Sequence, residues 1–190
     1  MDVQYITSAA KPHQLPASEL PEIAFIGRSN SGKSSLINAV TGRRKIARTG
    51  RTPGQTTMAN FFLVNDKIFL VDLPGYGFAA ADTAVRRHWQ ALVDRYFTRP
   101  NIMYIIALID ARRGLQDDDI ALFRMIGSEV AIILALTKAD KLSRAEQKKS
   151  LEKMKKDLAA HKVPIGEVVM TSTLKGTGIK ELQEILFPKS

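Results

Sequence analysis

The chain has 190 residues, 45% of them hydrophobic, which suits one domain with a full-sized core. It contains no cysteine, so a disulfide framework, a thiolate metal site and a cysteine nucleophile are all excluded. The 28 Lys and Arg outnumber the 19 Asp and Glu, and the net charge of +9 suggests a polyanionic partner.

Residues 1–21 carry Asp2 and prolines at 12, 16 and 21 without an apolar run, so a loose N-terminal extension is expected rather than a signal peptide. The run EIAFIG (22–27) predicts a buried strand, and SSLINAV (34–40) predicts a helix. Between them, Gly27, Gly32, Lys33 and Ser34 have the spacing G-x-x-x-x-G-K-S, with Arg28, Ser29, Asn30 and Ser31 inside it. Glycines at these places let the backbone curl so that successive N–H groups line one concavity at a helix N-terminus, a cradle for phosphate oxygens. Lys33 is expected to reach the β- and γ-phosphates and the Ser34 hydroxyl to ligate Mg²⁺.

The loop RTGRTPGQTT (48–57) follows, with Thr56 placed to close over a γ-phosphate and complete the Mg²⁺ shell; Arg43, Arg44, Lys45, Arg48 and Arg51 flank it or lie in it. MANFFLV (58–64) and KIFLVDL (67–73) predict a hairpin turning at Asn65-Asp66. Its second strand ends in Asp72, Leu73, Pro74 and Gly75, a D-x-x-G match. Asp72 can orient Mg²⁺ through water, and the Gly75 N–H can sense a γ-phosphate. In the helix predicted at 83–97, Val85, Trp89, Leu92, Val93 and Tyr96 trace one apolar face, which puts Trp89 in the core, while Arg86, Arg87 and His88 lie beside it.

Strand-sized runs recur at 101–110, 130–137 and 167–172, and helical periods at 117–127, 143–161 and 178–187. The longest apolar runs, IMYIIALI and VAIILAL, are too short to span a bilayer. The lysine-rich segment 143–161 keeps a core stripe of Leu151, Met154 and Leu158 and predicts a surface helix. This alternation predicts a doubly wound α/β domain, a mostly parallel six-stranded sheet with one antiparallel strand and helices on both faces.

Ligands of such sheets bind at the carboxyl ends of the strands. Thr137, Lys138, Ala139 and Asp140 end one strand, and Thr171, Ser172 and Thr173 end the last. A carboxylate at Asp140 can accept from both N1–H and N2–H of guanine, whereas adenine offers no such donor pair. At about 1.5–3 kcal/mol per charged hydrogen bond, two bonds discriminate by roughly a hundredfold or more. Backbone N–H groups of residues 171–173 would close on the guanine O6. Nothing supplies the arginine-rich lid of an adenylate-type kinase, so guanine is the expected base.

Through FIGRSNSGKSSLIN, RTPGQTT, DLPGYGFA and LTKADKLS, the chain resembles the EngB (YihA/YsxC) family of bacterial GTP-binding proteins, TRAFAC-class P-loop GTPases. The resemblance covers nearly the whole chain. It implies a Ras-like P-loop GTPase fold, with residues 22–190 forming one G domain after the extension. It implies GTP or GDP held by Gly27–Ser34, by Gly54, Gln55, Thr56, Thr57 and Met58, by Asp72–Gly75, by Thr137–Asp140 and by Thr171–Thr173. Mg²⁺ would sit on Ser34 and Thr56. A role in large ribosomal subunit assembly, and in normal cell division and septation, is implied with it.

Two positions depart from the general Ras-like pattern. Thr137 stands where most GTPases have Asn, which weakens one polar contact to the base. Tyr76 stands where Ras-like proteins keep the glutamine that orients the attacking water, so slow intrinsic hydrolysis is expected, on or below the order of 10⁻³ s⁻¹. GTPases with an apolar residue there often recruit K⁺ through an Asn in the phosphate loop, and Asn30 has that place; the alternative is an Asn that merely caps the loop. A stimulating partner is the other route to faster hydrolysis.

Two function classes follow. One is a cytoplasmic, monomeric GTP switch that binds ribosomal RNA or a pre-50S particle through the basic residues around 43–51 and 86–88; no DNA partner is implied. The other is a GTP-regulated protein-interaction module of the division machinery without direct ribosome binding.

Overall fold

The computed structural model describes residues 1–43, 45–47, 58–77, 83–163 and 165–188. In chain order its elements are β1 (Val3–Ala9), β2 (Glu22–Gly27), α1 (Lys33–Thr41), β3 (Ala59–Val64), β4 (Ile68–Asp72), α2 (Thr83–Phe97), β5 (Ile102–Asp110), α3 (Asp117–Ile126), β6 (Ala131–Thr137), α4 (Arg144–Ala160), β7 (Ile165–Met170) and α5 (Ile179–Leu186). They build one seven-stranded sheet in the order β1-β3-β4-β2-β5-β6-β7. The β2–β4, β2–β5, β5–β6 and β6–β7 pairs are parallel, and β3 alone runs antiparallel to both of its neighbours.

The central strands are apolar through their interiors, with charged or polar residues only at their ends, because both of their faces are covered. Ala24 and Ile26 of β2 and Ile132, Leu134 and Leu136 of β6 face one core, with Leu92, Val93 and Tyr96 of α2, Phe123 of α3 and Met154 and Leu158 of α4. The alternate residues Ile23, Phe25, Ile133 and Ala135 face a second core, with Leu36, Ile37 and Val40 of α1 and Leu182 and Leu186 of α5. The hairpin turns where expected: Asn65 and Asp66 both have positive φ, 50° and 55°, the backbone that matches strand twist and that these residue types tolerate. No helix among the described residues is long and apolar enough to cross a membrane.

Two expectations need correction. The sheet has a seventh strand, because Val3–Ala9, expected within a loose extension, pairs antiparallel with β3 from Val3↔Val64 to Ala9↔Ala59. A register shift between Tyr5 and Thr7 breaks the period-two pattern that would have announced the strand. Side chains then fasten the segment. Arg43 donates to the Met1 carbonyl at 2.8 and 3.1 Å, and Arg99 donates to the Pro16 carbonyl at 3.0 Å while gripping the buried Glu22 carboxylate. Val85 also departs from the apolar face expected of α2. It lies in the first turn, 42% exposed, while Leu92, Val93 and Tyr96 are buried farther along.

Candidate functional site

The carboxyl ends of β2, β4, β6 and β7 carry the loops singled out by sequence. After Gly27 the chain curls through Asn30 (φ 63°) and Gly32 (φ 95°), and α1 starts at Lys33. Positive φ at these two alternate positions curls the backbone in the way expected of a phosphate-loop nest. Gly27 has no room for a side chain: a Cβ there would lie 2.5 Å from Ser31 Oγ and 3.0 Å from the Leu108 carbonyl oxygen. Helix geometry leaves the amides of Lys33, Ser34 and Ser35 without acceptors inside α1, so they are available to an anion.

Lys33 Nζ donates to Asp72 Oδ1 at the end of β4, and both side chains are buried. The cation of the phosphate loop and the carboxylate of the D-x-x-G loop therefore converge, with the half-buried Ser34 in the adjoining turn of α1. Mg²⁺ keeps several waters and takes few protein oxygens beside substrate phosphates. A hydroxyl at Ser34 and a carboxylate at Asp72, next to a phosphate cradle, fit that chemistry.

The D-x-x-G loop lies directly on the phosphate loop. Leu73 N donates to the Phe25 carbonyl at 3.0 Å, Tyr76 N to the Gly27 carbonyl at 3.3 Å and Ser29 N to the Tyr76 carbonyl at 3.3 Å. A Cβ on Gly75 would stand 3.1 Å from the Gly27 carbonyl oxygen and would push the two loops apart by a few tenths of an ångström, so this close approach favours glycine. Tyr76 turns inward, and its phenol donates to Asp119 Oδ1 at 2.5 Å. Burial first, then the Asp119 charge, push the phenol far above its ordinary pKa, so it remains a neutral donor. Asp119 Oδ2 also accepts from Gln116 N at 2.8 Å, and Arg28 donates to Asp118 at 2.6 Å. The loop is thus latched to the start of α3. Sequence reasoning missed both aspartates, because three acids opening a helix are sufficiently explained as its first turn.

Trp89 belongs to the same assembly. It is partly buried against the core, its indole N–H donates to the Pro74 carbonyl at 3.0 Å, and its ring lies 6.5 Å from that of Tyr76. As the chain's single tryptophan, it is a built-in reporter of this loop. Exchanging GDP for a non-hydrolysable GTP analogue is expected to change its emission, and Pro74→Gly to reduce the change; a fluorescence titration checks both.

The loop after β6 is stitched to the phosphate loop at neighbouring carbonyls. Thr137 Oγ1 donates to the Ser31 carbonyl at 2.7 Å, and Lys138 Nζ donates to the Asn30 carbonyl at 2.7 Å and pairs with Asp110 at 3.0 Å. Thr137 is therefore a tether between loops. Asp110, which sequence reasoning also missed, is held far below the usual carboxylate range: burial acts the other way, but hydrogen bonds from Arg112 and Lys138 outweigh it. Asp140 Oδ1 accepts from Ser172 Oγ at 2.7 Å, which holds its carboxyl below the usual range and fixes its direction.

Of residues 171–173, Thr171 N is spent on the Leu136 carbonyl and Ser172 N on the Thr177 carbonyl. The expected ring of N–H donors narrows to Thr173. Gly54, Gln55, Thr56 and Thr57 lie outside the described residues, as do Arg44, Arg48 and Arg51; Met58 precedes β3 and is 42% exposed. A cavity of about 230 Å³ opens beside the phosphate loop between Arg28, Asn30, Asp110, Arg113, Asp119 and Lys138. Arg28, Asn30 and Lys138 belong to the nucleotide loops, whereas Lys33, Ser34, Asp72 and Asp140 are not on its walls, so the cavity shares only part of its lining with those loops.

A family model described as 50S ribosome-binding GTPase matches residues 22–138. The probable GTP-binding protein EngB of Geobacter metallireducens is 44% identical over 148 residues, 77% of this chain and 72% of that protein. That of Solibacter usitatus is 37% identical over 188 residues, 98% of this chain and 95% of that protein. A crystal structure of a probable GTP-binding protein EngB superposes with a TM-score of 0.66 at 25% identity, covering 87% of this chain and 96% of that one. Era of Aquifex aeolicus, bound to GDP and aluminium fluoride, shares the fold with a TM-score of 0.73 at 21% identity over 91% of this chain and 58% of Era. The chain belongs to the EngB family of GTP-binding proteins.

Proposed function

We propose that this protein is a slow cytoplasmic GTPase that acts as a monomeric switch on ribosomal RNA or a pre-50S particle, and that normal cell division and septation depend on it. The observation that carries the switch is the seating of the D-x-x-G loop. Gly75 touches the phosphate loop, while Pro74 and Tyr76 are bonded to α2 and α3 through Trp89 and Asp119. A γ-phosphate that engages the Gly75 N–H therefore acts on two helices at once. The ribosomal target is supported by the description of the matching family model and by the net charge of +9.

In this reading the nest of residues 27–34 holds the phosphates, Lys33 exchanges Asp72 for the β- and γ-phosphates, and Asp140 with Thr173 reads guanine. Mg²⁺, when bound, screens the phosphate charge and fixes their orientation; Ser34 and Thr56 are its proposed protein ligands. Tyr76 is committed to Asp119 and cannot orient a water, which favours slow unassisted hydrolysis. Co-migration with 50S particles on a sucrose gradient, stronger with a GTP analogue than with GDP, is the test. Migration apart from the particles in both states would turn the reading toward a protein-interaction module of the division machinery.

K⁺ is proposed as the source of additional positive charge near the transferring phosphate. Asn30 supports this: its left-handed backbone is anchored by Lys138, while its exposed side chain makes no hydrogen bond among the described residues, so the amide does not cap the loop. Hydrolysis is expected to run several-fold faster in KCl than in NaCl at equal ionic strength, and Asn30→Ala to remove the difference. Equal wild-type rates in the two salts, with and without ribosomal particles, would rule K⁺ out.

A further inference from the structure

The helix α4 turns Met154 and Leu158 into the core and presents Arg144, Lys148, Lys149, Lys155 and Lys156 to solvent. Three of its four other charges are already used. Glu146 closes the N-cap by accepting from Ser143 N at 2.7 Å, and Lys153 pairs with Asp157 at 3.4 Å. None of the five outward cations forms a salt bridge among the described residues, and Glu152 is the one unpaired acid on the helix; Glu167 is exposed on the neighbouring edge strand β7. Lys148 and Lys155, and likewise Lys149 and Lys156, are seven residues apart. They form two rows with a spacing of about 10 Å on a helix about 25 Å long.

We infer that this outer face of α4 is a docking surface for the phosphate backbone of RNA, engaged in both the GDP and the GTP state. The inference rests on the ribosomal reading above. Lysines are point charges suited to phosphates and carry no base readout, so the contact is insensitive to sequence. A folded protein partner is a poorer fit, because protein interfaces are depleted in lysine and need apolar or aromatic anchors, whereas the exposed uncharged residues of α4 are alanines such as Ala145 and Ala159. A bilayer is also a poorer fit, since the apolar side of α4 is committed to the core and cannot insert.

Independence from the switch follows from how α4 is fastened. Gln147 donates to the Ala139 and Leu142 carbonyls at 2.8 and 3.1 Å, and Ser150 donates to the Ala111 carbonyl at 2.7 Å. These bonds lead to the loops after β6 and β5, and none leads to the D-x-x-G loop. The basic residues near 43–51 differ in this respect, since they border the loop expected to respond to a γ-phosphate. Among them, Arg43 is already occupied by Met1 and Asp2.

The test uses the full chain with Lys148, Lys149, Lys155 and Lys156 all changed to Gln, a good helix former that removes only charge. Binding to purified large-subunit ribosomal RNA is measured against salt with GDP and with a non-hydrolysable GTP analogue, and to phosphatidylserine vesicles in parallel. The log–log slope is expected to fall by about three units in both nucleotide states, with GDP affinity unchanged. An unchanged slope while RNA binding persists would overturn the α4 surface and leave the ribosomal reading intact. A slope that falls only in the GTP state would overturn independence from the switch. Vesicle binding that equals RNA binding in the wild type and is lost in the variant would assign the surface to a bilayer. No wild-type RNA binding in either state would overturn the ribosomal reading, and this inference with it.

Discussion

Asp140→Asn is expected to reverse the base preference of this protein from guanine to xanthine nucleotides. The carboxylate is pre-aimed: Ser172 Oγ donates to Oδ1 at 2.7 Å, Lys141 stands 3.7 Å from Oδ2, and the side chain is only 10% exposed. That arrangement keeps the group ionised and leaves lone pairs on both oxygens for N1–H and N2–H of guanine. Asparagine removes the charge and one acceptor and adds two N–H donors. The guanine amine then faces a donor, while the 2-oxo group of xanthine finds one. With about 1.5–3 kcal/mol at stake in each of two bonds, GDP affinity should drop by about a hundredfold or more as xanthosine diphosphate affinity rises. Competition between the two nucleotides on the variant measures the ratio directly. Tight GDP binding by Asp140→Asn would mean that Asp140 does not read the base.

Most of what positions this site is local in sequence. The G-x-x-x-x-G-K-S spacing could be recognised because its function is carried by backbone geometry, and Asn30 and Gly32 do adopt the left-handed conformations that a nest needs. Strands β2, β5 and β6 were visible as uninterrupted apolar runs because parallel strands are covered on both faces. Strand β1 was hidden because it is an edge strand: Gln4, Tyr5 and Ile6 are exposed and the register shifts after Tyr5.

The unseen part of the site consists of contacts between elements far apart in the chain. Tyr76 meets Asp119 across 43 positions, and Lys138 reaches Asn30 across 108. Neither partner has a local pattern that announces the other. Thr137 shows the same limit, since its residue type suggested a weakened base contact. Only the fold reveals that its hydroxyl is spent on the Ser31 carbonyl, 106 positions away.

Lys33→Ala and Ser34→Ala are expected to weaken GTP binding by separable routes. In the proposed function Lys33 contributes a full charge to two phosphates, so its loss should cost about a hundredfold or more whether or not Mg²⁺ is present. Ser34 is the proposed metal ligand: its loss should cost about tenfold in Mg²⁺ and almost nothing in EDTA. Lys33→Ala has a second consequence in this structure, because it strands the Asp72 carboxylate, whose side chain is 4% exposed and whose ion-pair partner is gone. Breaking such a pair from one side costs about 3–5 kcal/mol of stability, whereas removing both charges is far milder. Lys33→Ala combined with Asp72→Asn should therefore recover most of the lost stability in urea denaturation without recovering nucleotide affinity. That divergence would separate the observed role of Lys33 as a structural counter-ion from its proposed role as a phosphate ligand. Equal and metal-independent losses from Lys33→Ala and Ser34→Ala would remove Mg²⁺ from Ser34. Recovery of affinity together with stability in the double variant would mean that Lys33 serves folding and not the phosphates.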